Sequence, residues 1–241
     1  KNEFGKRTTR DLFGNCLHKY VITDAIRDQN VLRFGIEYVG KYRQKGNTFI
    51  DIDVEDIDKA EVLNDTKRLE KIADYIIAYH GQKTFNKEYS ALFATTGIDT
   101  LIKYYEIFRR KKLAGEHDLR IATIFTFGTN EEDDAAQDYL PDEEWSMAAH
   151  SDPVYKASHT RDKLEEFIDD YNKQYGTAFS TKDSQAFENY FKDISKRLKE
   201  REKESFNDEK DRLDLVLVVN MLLTGFDAKK VNTLYVDKNL K

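Results

Sequence analysis

A single cysteine, Cys16, stands in 241 residues. That excludes an intrachain disulfide, and it excludes a cysteine-based zinc module, because a structural zinc site takes four ligands and only His18 stands nearby. Cys16 therefore reads as a buried or bystander thiol. The 5 histidines never fall in a His-x-x-x-His pair, so the helical zinc-protease motif is absent. Only 2 prolines interrupt the chain, and no long flexible linker divides it. No apolar run approaches the roughly 20 residues that a bilayer span requires, and no secretory signal opens the chain. A cytoplasmic protein without a membrane partner is the expectation. A basic excess is missing too: 39 Lys and Arg stand against 45 Asp and Glu, a net charge of −6. That is not the footprint of a domain that grips nucleic acid by electrostatics alone. An initiating Met is also lacking, since the chain runs from Lys1 to Lys241; it reads as a fragment or as trimmed at its ends.

What is present is globular. Hydrophobic residues make up 39% and charged residues 35%, with 14 Tyr and 15 Phe, far more aromatic content than a disordered chain carries. The acids cluster. Residues 130–145 (NEEDDAAQDYLPDEEW) hold eight acids and no base, and read as an acidic surface excursion. A second acidic patch, Asp51 to Glu61, sets the opening segment apart from the rest.

Between these patches strand and helix signals alternate. VLRFGIEYV (31–39), YSALFATT (89–96), RIATIFTF (120–127), LDLVLVVNML (213–222) and TLYVD (233–237) have the β-rich, near-continuous apolar character of buried strands. Apolar residues recur at helical spacing from Leu69 to Ile77, Ile98 to Phe108, Leu164 to Tyr175 and Phe187 to Leu198. The last stripe runs on into KRLKEREKE (196–204), where Lys196, Arg197, Lys199 and Arg201 interleave with acids as on a solvated helical face. The expectation is an α/β fold: a doubly wound parallel sheet with helices on both faces and a helical, acidic insertion over about 130–210. A lead-in covers 1–60 and the domain proper 61–241. In such sheets ligands gather at the carboxyl ends of the strands, which directs attention to Thr95-Thr96-Gly97, Phe127-Gly128-Thr129-Asn130 and Thr224-Gly225-Phe226-Asp227.

GIEYVGKY (35–42) imitates the phosphate-binding pattern G-x-x-x-x-G-K, but Tyr42 occupies the place of the Mg²⁺-binding hydroxyl and Ile-Glu-Tyr-Val favours strand over a tight loop. It reads as a strand and a turn. No metal-dependent nuclease pattern is found either: no E-x-K triplet occurs, and among the D-x-K triplets those at Asp208 and Asp227 sit in a charged segment and a turn. ALFATTG (91–97) ends a strand in two hydroxyls and a glycine where a helix begins, suited either to capping that helix or to holding a phosphate at its positive end. In MLLTGFDAKKVNTLYVDK (221–238), Gly225 permits close backbone approach, Thr224 offers a hydroxyl and an N–H to a phosphate, and Asp227 offers acceptors to a sugar hydroxyl or cation. A plain turn is the alternative.

These residues also carry a resemblance. LLTGFDAKKVNTLYVDKNL closely resembles motif V of superfamily 2 helicases in the form found in type I restriction R subunits. ALFATTGIDTLIKYYEIF resembles motif IV of the same domain, and residues 8–40 resemble the segment joining that subunit's two motor domains. The resemblance implies the second RecA-like domain of an ATP-driven DNA translocase and endonuclease. Its implied partners are double-stranded DNA, the methylation and specificity subunits, and the first RecA-like domain. It assigns Thr224, Thr95 and Thr96 to the DNA backbone and Gly225 and Asp227 to the nucleotide. ATP and Mg²⁺ are implied cofactors of the full-length protein, not of this piece, which lacks the Walker loops and stops before the arginine-bearing motif VI. Two other readings stand beside it: the equivalent domain of another superfamily 2 helicase, and a non-catalytic α/β interaction module.

Overall fold

The structure, a computed structural model, describes residues 13–30, 33–39, 65–125, 153–182, 184–203, 206, 208–223 and 225–238. Its contacts divide the chain into two compact units, Lys1–Val54 and Glu55–Lys241.

In the first unit a short helix, α1 (Ile22–Arg27), opens with the Asp24 carboxylate accepting the Val21 N–H at 3.0 Å. Its one buried residue is Ala25. Cys16 is exposed, its thiol donating to the His18 carbonyl at 3.1 Å. The strand expected over 31–39 does not form in its described part, 33–39, and Phe34, Ile36 and Tyr38 are exposed there. High β propensity yields a strand only where a neighbouring strand offers a ladder. Gly40, Lys41 and Tyr42 of the phosphate-loop imitation lie outside the described residues.

The second unit begins with α2 (Thr66–Lys83). Asp65 caps it by accepting the Arg68 N–H at 2.9 Å, and Leu69, Ala73, Ile76 and His80 form its buried face. A turn with three successive left-handed residues, Phe85, Asn86 and Lys87, leads to β1 (Ser90–Thr95). Then follow α3 (Ile98–Leu113), β2 (Ile121–Ile124), α4 (Pro153–Tyr175), α5 (Ser184–Lys199), a 3₁₀ turn at Glu209–Asp211, β3 (Leu215–Val218) and β4 (Val231–Asp237). The strands lie in the order β2-β3-β1-β4, all parallel, the α/β architecture expected. Every residue of β1, β2 and β3 is buried, which explains their near-continuous apolar runs.

Register places Phe93, Leu217 and Tyr235 on one sheet face, where the Tyr104 ring of α3 meets Phe93 edge-on at 4.7 Å. Ser90, Leu92 and Ala94 look to the other face. Helices wrap from one to the other: Tyr105 of α3 stacks on Phe167 of α4 at 4.0 Å, and Tyr171 of α4 meets Tyr190 of α5 at 5.1 Å. The Tyr190 hydroxyl then donates to the Thr123 carbonyl of β2 at 2.8 Å. The helical part of the 130–210 segment thus belongs to the same core as the sheet, while the acidic stretch 130–145 lies outside the described residues.

Two expectations need correction. The strand expected over 213–222 spans only Leu215–Val218. Side chains take the flanking backbone carbonyls: Ser90 and Arg201 donate to Leu213 O, and Lys238 donates to Val219 O. The charged segment 196–204 is not a solvated face throughout, because α5 stops at Lys199 and Arg197 and Arg201 are buried. Arg197 lies 3.8 Å from the Tyr175 ring centroid and bonds Asp193 and the Asp211 carbonyl. Arg201 staples the amino ends of two strands by donating to Ser90 Oγ, Leu213 O and Lys87 O. Lys196 and Lys199 do face solvent. Charge in a sequence window marks a surface only when no buried acceptor lies within reach of a long side chain.

Candidate functional site at the carboxyl end of the sheet

The parallel arrangement brings the ends of β1, β3 and β4 together, with Ala94 beside Val218 and Thr95 beside Asp237. The Thr95–Gly97 loop starts here, and the segment that leads on to Gly225–Asp227 leaves from the end of β3; the third loop, at 127–130, lies outside the described residues.

Thr95 is fully buried, and its hydroxyl reaches the Gly97 carbonyl at 3.3 Å and the Val218 carbonyl at 3.5 Å. It ties the ends of β1 and β3. Thr96 is exposed, with its hydroxyl donating to the Asp237 carbonyl at 2.9 Å. Neither caps α3: the capping position belongs to Gly97, which makes no side-chain cap bond. Of the two threonines, only Thr96 presents its side chain to a ligand outside.

Gly225 has φ of +68° with nothing within 4 Å of where a Cβ would sit. The residue is needed for the left-handed turn itself rather than for clearance. Asp227 is exposed, and no described side chain pairs with it. Between them Phe226 is half-buried under the Lys199 ammonium at 4.8 Å. Thr224 lies outside the described residues. The described residues thus offer an exposed threonine after β1 and, separately, a left-handed turn with an exposed carboxylate in the segment between β3 and β4. Among the described residues no group of three or more His, Cys, Asp or Glu could hold a metal ion. A Mg²⁺–nucleotide needs a phosphate cradle and several oxygen ligands. Thr96, Gly225 and Asp227 by themselves supply neither such a cradle nor several such ligands.

A further polar cluster at this end was not apparent from the sequence. The Asp237 carboxylate receives both terminal nitrogens of Arg68 and the Tyr104 hydroxyl, the latter at 2.6 Å. Burial and the adjacent Asp237 push the Tyr104 hydroxyl well above the usual phenol range. Lys238, the next residue, sends its ammonium to the Val219 carbonyl at 3.0 Å and to Asn220 Oδ1 at 2.6 Å. The only signal was the Asp-Lys pair closing the quoted motif V stretch; nothing local marks Arg68 or Tyr104 as its partners.

Residues 87–241 match the family described as type I restriction enzyme subunit R domain 3. The chain belongs to that family. Residues 2–69 separately match the SWI2/SNF2 ATPase family, in keeping with a RecA-like reading of the parallel sheet. Among the relatives of this R-subunit chain is the type I restriction enzyme SauCOLORF180P endonuclease subunit of Staphylococcus aureus strain COL. It is 44% identical over 236 residues, covering 97% of this chain and 22% of the relative. The SsaAORF53P endonuclease subunit of Staphylococcus saprophyticus is 42% identical over 98% of this chain and 23% of its own length. The chain thus spans under a quarter of the curated relatives it matches. Among the described residues no helix is long and apolar enough to cross a membrane.

Proposed function

We propose that this R-subunit chain is the second RecA-like motor domain of an ATP-driven DNA translocase and endonuclease. In this reading Thr96 and Thr224 track the DNA backbone, and Gly225 and Asp227 close over a nucleotide held mainly by the first motor domain. The observation that carries it is the exposed Thr96 just beyond the carboxyl end of β1, taken with the Gly225–Asp227 turn between β3 and β4, which bears a carboxylate without a described partner. Phosphate contacts hold no sequence information, which suits a motor that must cross any sequence. Thr95 acts from inside the fold, its hydroxyl tying the ends of β1 and β3 rather than meeting DNA. ATP and Mg²⁺ enter with the phosphate-binding loop of the first motor domain, and double-stranded DNA with the methylation and specificity subunits. The SWI2/SNF2 match over residues 2–69 supports assigning the lead-in to the ATPase side of the domain pair, where its exposed Phe34, Ile36 and Tyr38 find cover. The chain alone hydrolyses no ATP and cuts no DNA, because it offers one wall of the nucleotide site.

The test is Asp227→Ala in the full-length subunit, assembled with its methylation and specificity partners. DNA-dependent ATP turnover is expected to fall at least tenfold, the scale of one lost charge-assisted contact. Wild-type turnover in that variant would remove Asp227 from the nucleotide site.

A further inference from the structure

The consecutive pair Asp237-Lys238 touches Thr95 and Thr96 on one side and the first residues of the segment that leads to Gly225–Asp227 on the other. Asp237 pairs with Thr95 in register, accepts the Thr96 hydroxyl on its backbone carbonyl, and is itself fixed through its carboxylate by Arg68 and Tyr104. Lys238 reaches across to Val219 and Asn220, the first two residues beyond β3 and the start of the segment that runs to Gly225–Asp227. Thr95 completes a ring by reaching the Val218 carbonyl from the β1 end. The contacts run Val218–Thr95–Thr96–Asp237–Lys238–Val219. Asp237 is anchored from two helices, α2 through Arg68 and α3 through Tyr104, so the end of β4 is the fixed member of this ring. The segment after β3 runs from Val219 to Lys230 before the next strand and passes through left-handed φ at Leu222 and Gly225.

We infer that Lys238 is a positioning residue that couples the nucleotide-facing turn to the DNA-facing one. By holding Val219 and Asn220 to the anchored end of β4, its ammonium makes a shift of the 219–227 segment pull on the same strand end that holds Thr96. Two hydrogen bonds from a charged donor are stiff and directional enough to pass such a shift; the apolar contacts around Leu222 and Leu223 are not directional. Lys238 touches neither nucleotide nor DNA in this scheme. The inference rests on the motor-domain reading of the site.

The experiment compares Lys238→Met, Lys238→Arg, Thr96→Val and the Lys238→Met/Thr96→Val pair in the full-length subunit assembled with its partners. Measured are ATP turnover against DNA concentration, DNA translocation rate, equilibrium binding of a non-hydrolysable ATP analogue, and Tm. Lys238→Met is expected to lower turnover and translocation at saturating DNA about tenfold. The DNA concentration for half-maximal turnover, analogue binding and Tm should hold within about twofold or a few degrees. Lys238→Arg should restore at least half of the lost turnover. The double variant should lose little more than the worse single one, because both act through one linkage. Several results would overturn the role: wild-type turnover in Lys238→Met while Thr96→Val and Asp227→Ala are impaired; a rise in half-saturating DNA at unchanged maximal turnover, which would put Lys238 on the DNA itself; turnover, analogue binding and Tm falling in proportion, which would make it a fold-stabilising residue; or an Arg variant as impaired as the Met one. If Thr96→Val and Asp227→Ala both kept wild-type turnover, the motor-domain assignment of the site would fall first, and this inference with it.

Discussion

Replacing Arg201 by Met is the sharpest test of how the sheet is held at its amino end. The side chain is only 4% exposed although it stands in a segment of alternating charge. Its guanidinium donates to Lys87 O, Ser90 Oγ and Leu213 O, joining the turn before β1 to the residues before β3. Burial lowers its pKa and raises that of the neighbouring Asp214 carboxyl. Met keeps the stem and removes every donor. Leu213 O and Ser90 retain each other through their own bond at 2.6 Å, so the uncompensated loss falls chiefly on Lys87 O and on the electrostatic surroundings of Asp214. A lost set of this kind costs roughly 2–4 kcal/mol. In a domain of this size that lowers Tm by about 4–16 °C. Urea and thermal unfolding of this chain, followed by far-ultraviolet circular dichroism, would measure it, with Lys196→Met as the control. Lys196 is exposed, and its substitution should stay within about 0.5 kcal/mol. Equal, small effects at both positions would refute the staple and restore the solvated-face reading of the segment.

Other expectations follow from the same geometry. His80 is buried with neither ring nitrogen hydrogen-bonded among the described residues, and burial, then Lys87 and Arg201, bring its pKa down to about 4, opposed by Asp118 and reinforced by His117. The folded state keeps His80 neutral while the unfolded chain protonates it near pH 6.5. Stability from this group is therefore whole above that pH and is lost as pH falls toward 4. At pH 5 the loss is about 2 kcal/mol, and His80→Phe should flatten the unfolding profile between pH 7 and 5; an unchanged slope would dismiss the linkage. Tyr104→Phe removes a hydroxyl bonded to the Asp237 carboxylate and should cost about 1–3 kcal/mol in urea unfolding, an effect that Lys103→Met, on an exposed position of the same helix, should not reproduce. Gly225→Ala meets no steric obstacle but must hold φ near +68°, so it should cost about 1 kcal/mol and lower ATP turnover in the full-length subunit. Unaltered turnover there would mean the turn tolerates another shape.

Much of the sheet was legible because its physics is local. β1 and β2 declare themselves as short apolar runs, and α2, α3 and α5 as stripes at helical spacing, since burial acts on every residue of those elements in turn. What failed was whatever depends on a distant partner. Residues 33–39 have strand chemistry without a strand to pair with. Arg197 and Arg201 look solvated because a window of sequence counts charges but does not show the carbonyls of Lys87 and Leu213 that receive them. The candidate site divides the same way. Gly225 and Asp227 announce a turn by their types, whereas the clasp of Arg68 and Tyr104 on Asp237 joins residues far apart in the chain that no periodicity connects. Thr95 and Thr96 are adjacent and chemically identical, yet the first closes a strand buried on both faces and the second lies just beyond it, exposed.

The wrapping of the helices around β2 makes the two margins of the sheet unlike. At that margin α5 lays the Tyr190 hydroxyl on a β2 carbonyl, and α4 and α5 close the side. At the opposite margin β4 alternates half-buried and exposed residues and leaves Leu234 half exposed beside a groove lined by Leu92, Leu222 and Leu223. Among the described residues β4 is thus the edge strand that shows apolar side chains, Leu234 and Val236, to the outside. Bare margins of this kind also recruit the wrong neighbours, so preparations of the chain in isolation should cloud as concentration rises, and a single charge placed at Leu234 should keep them clear.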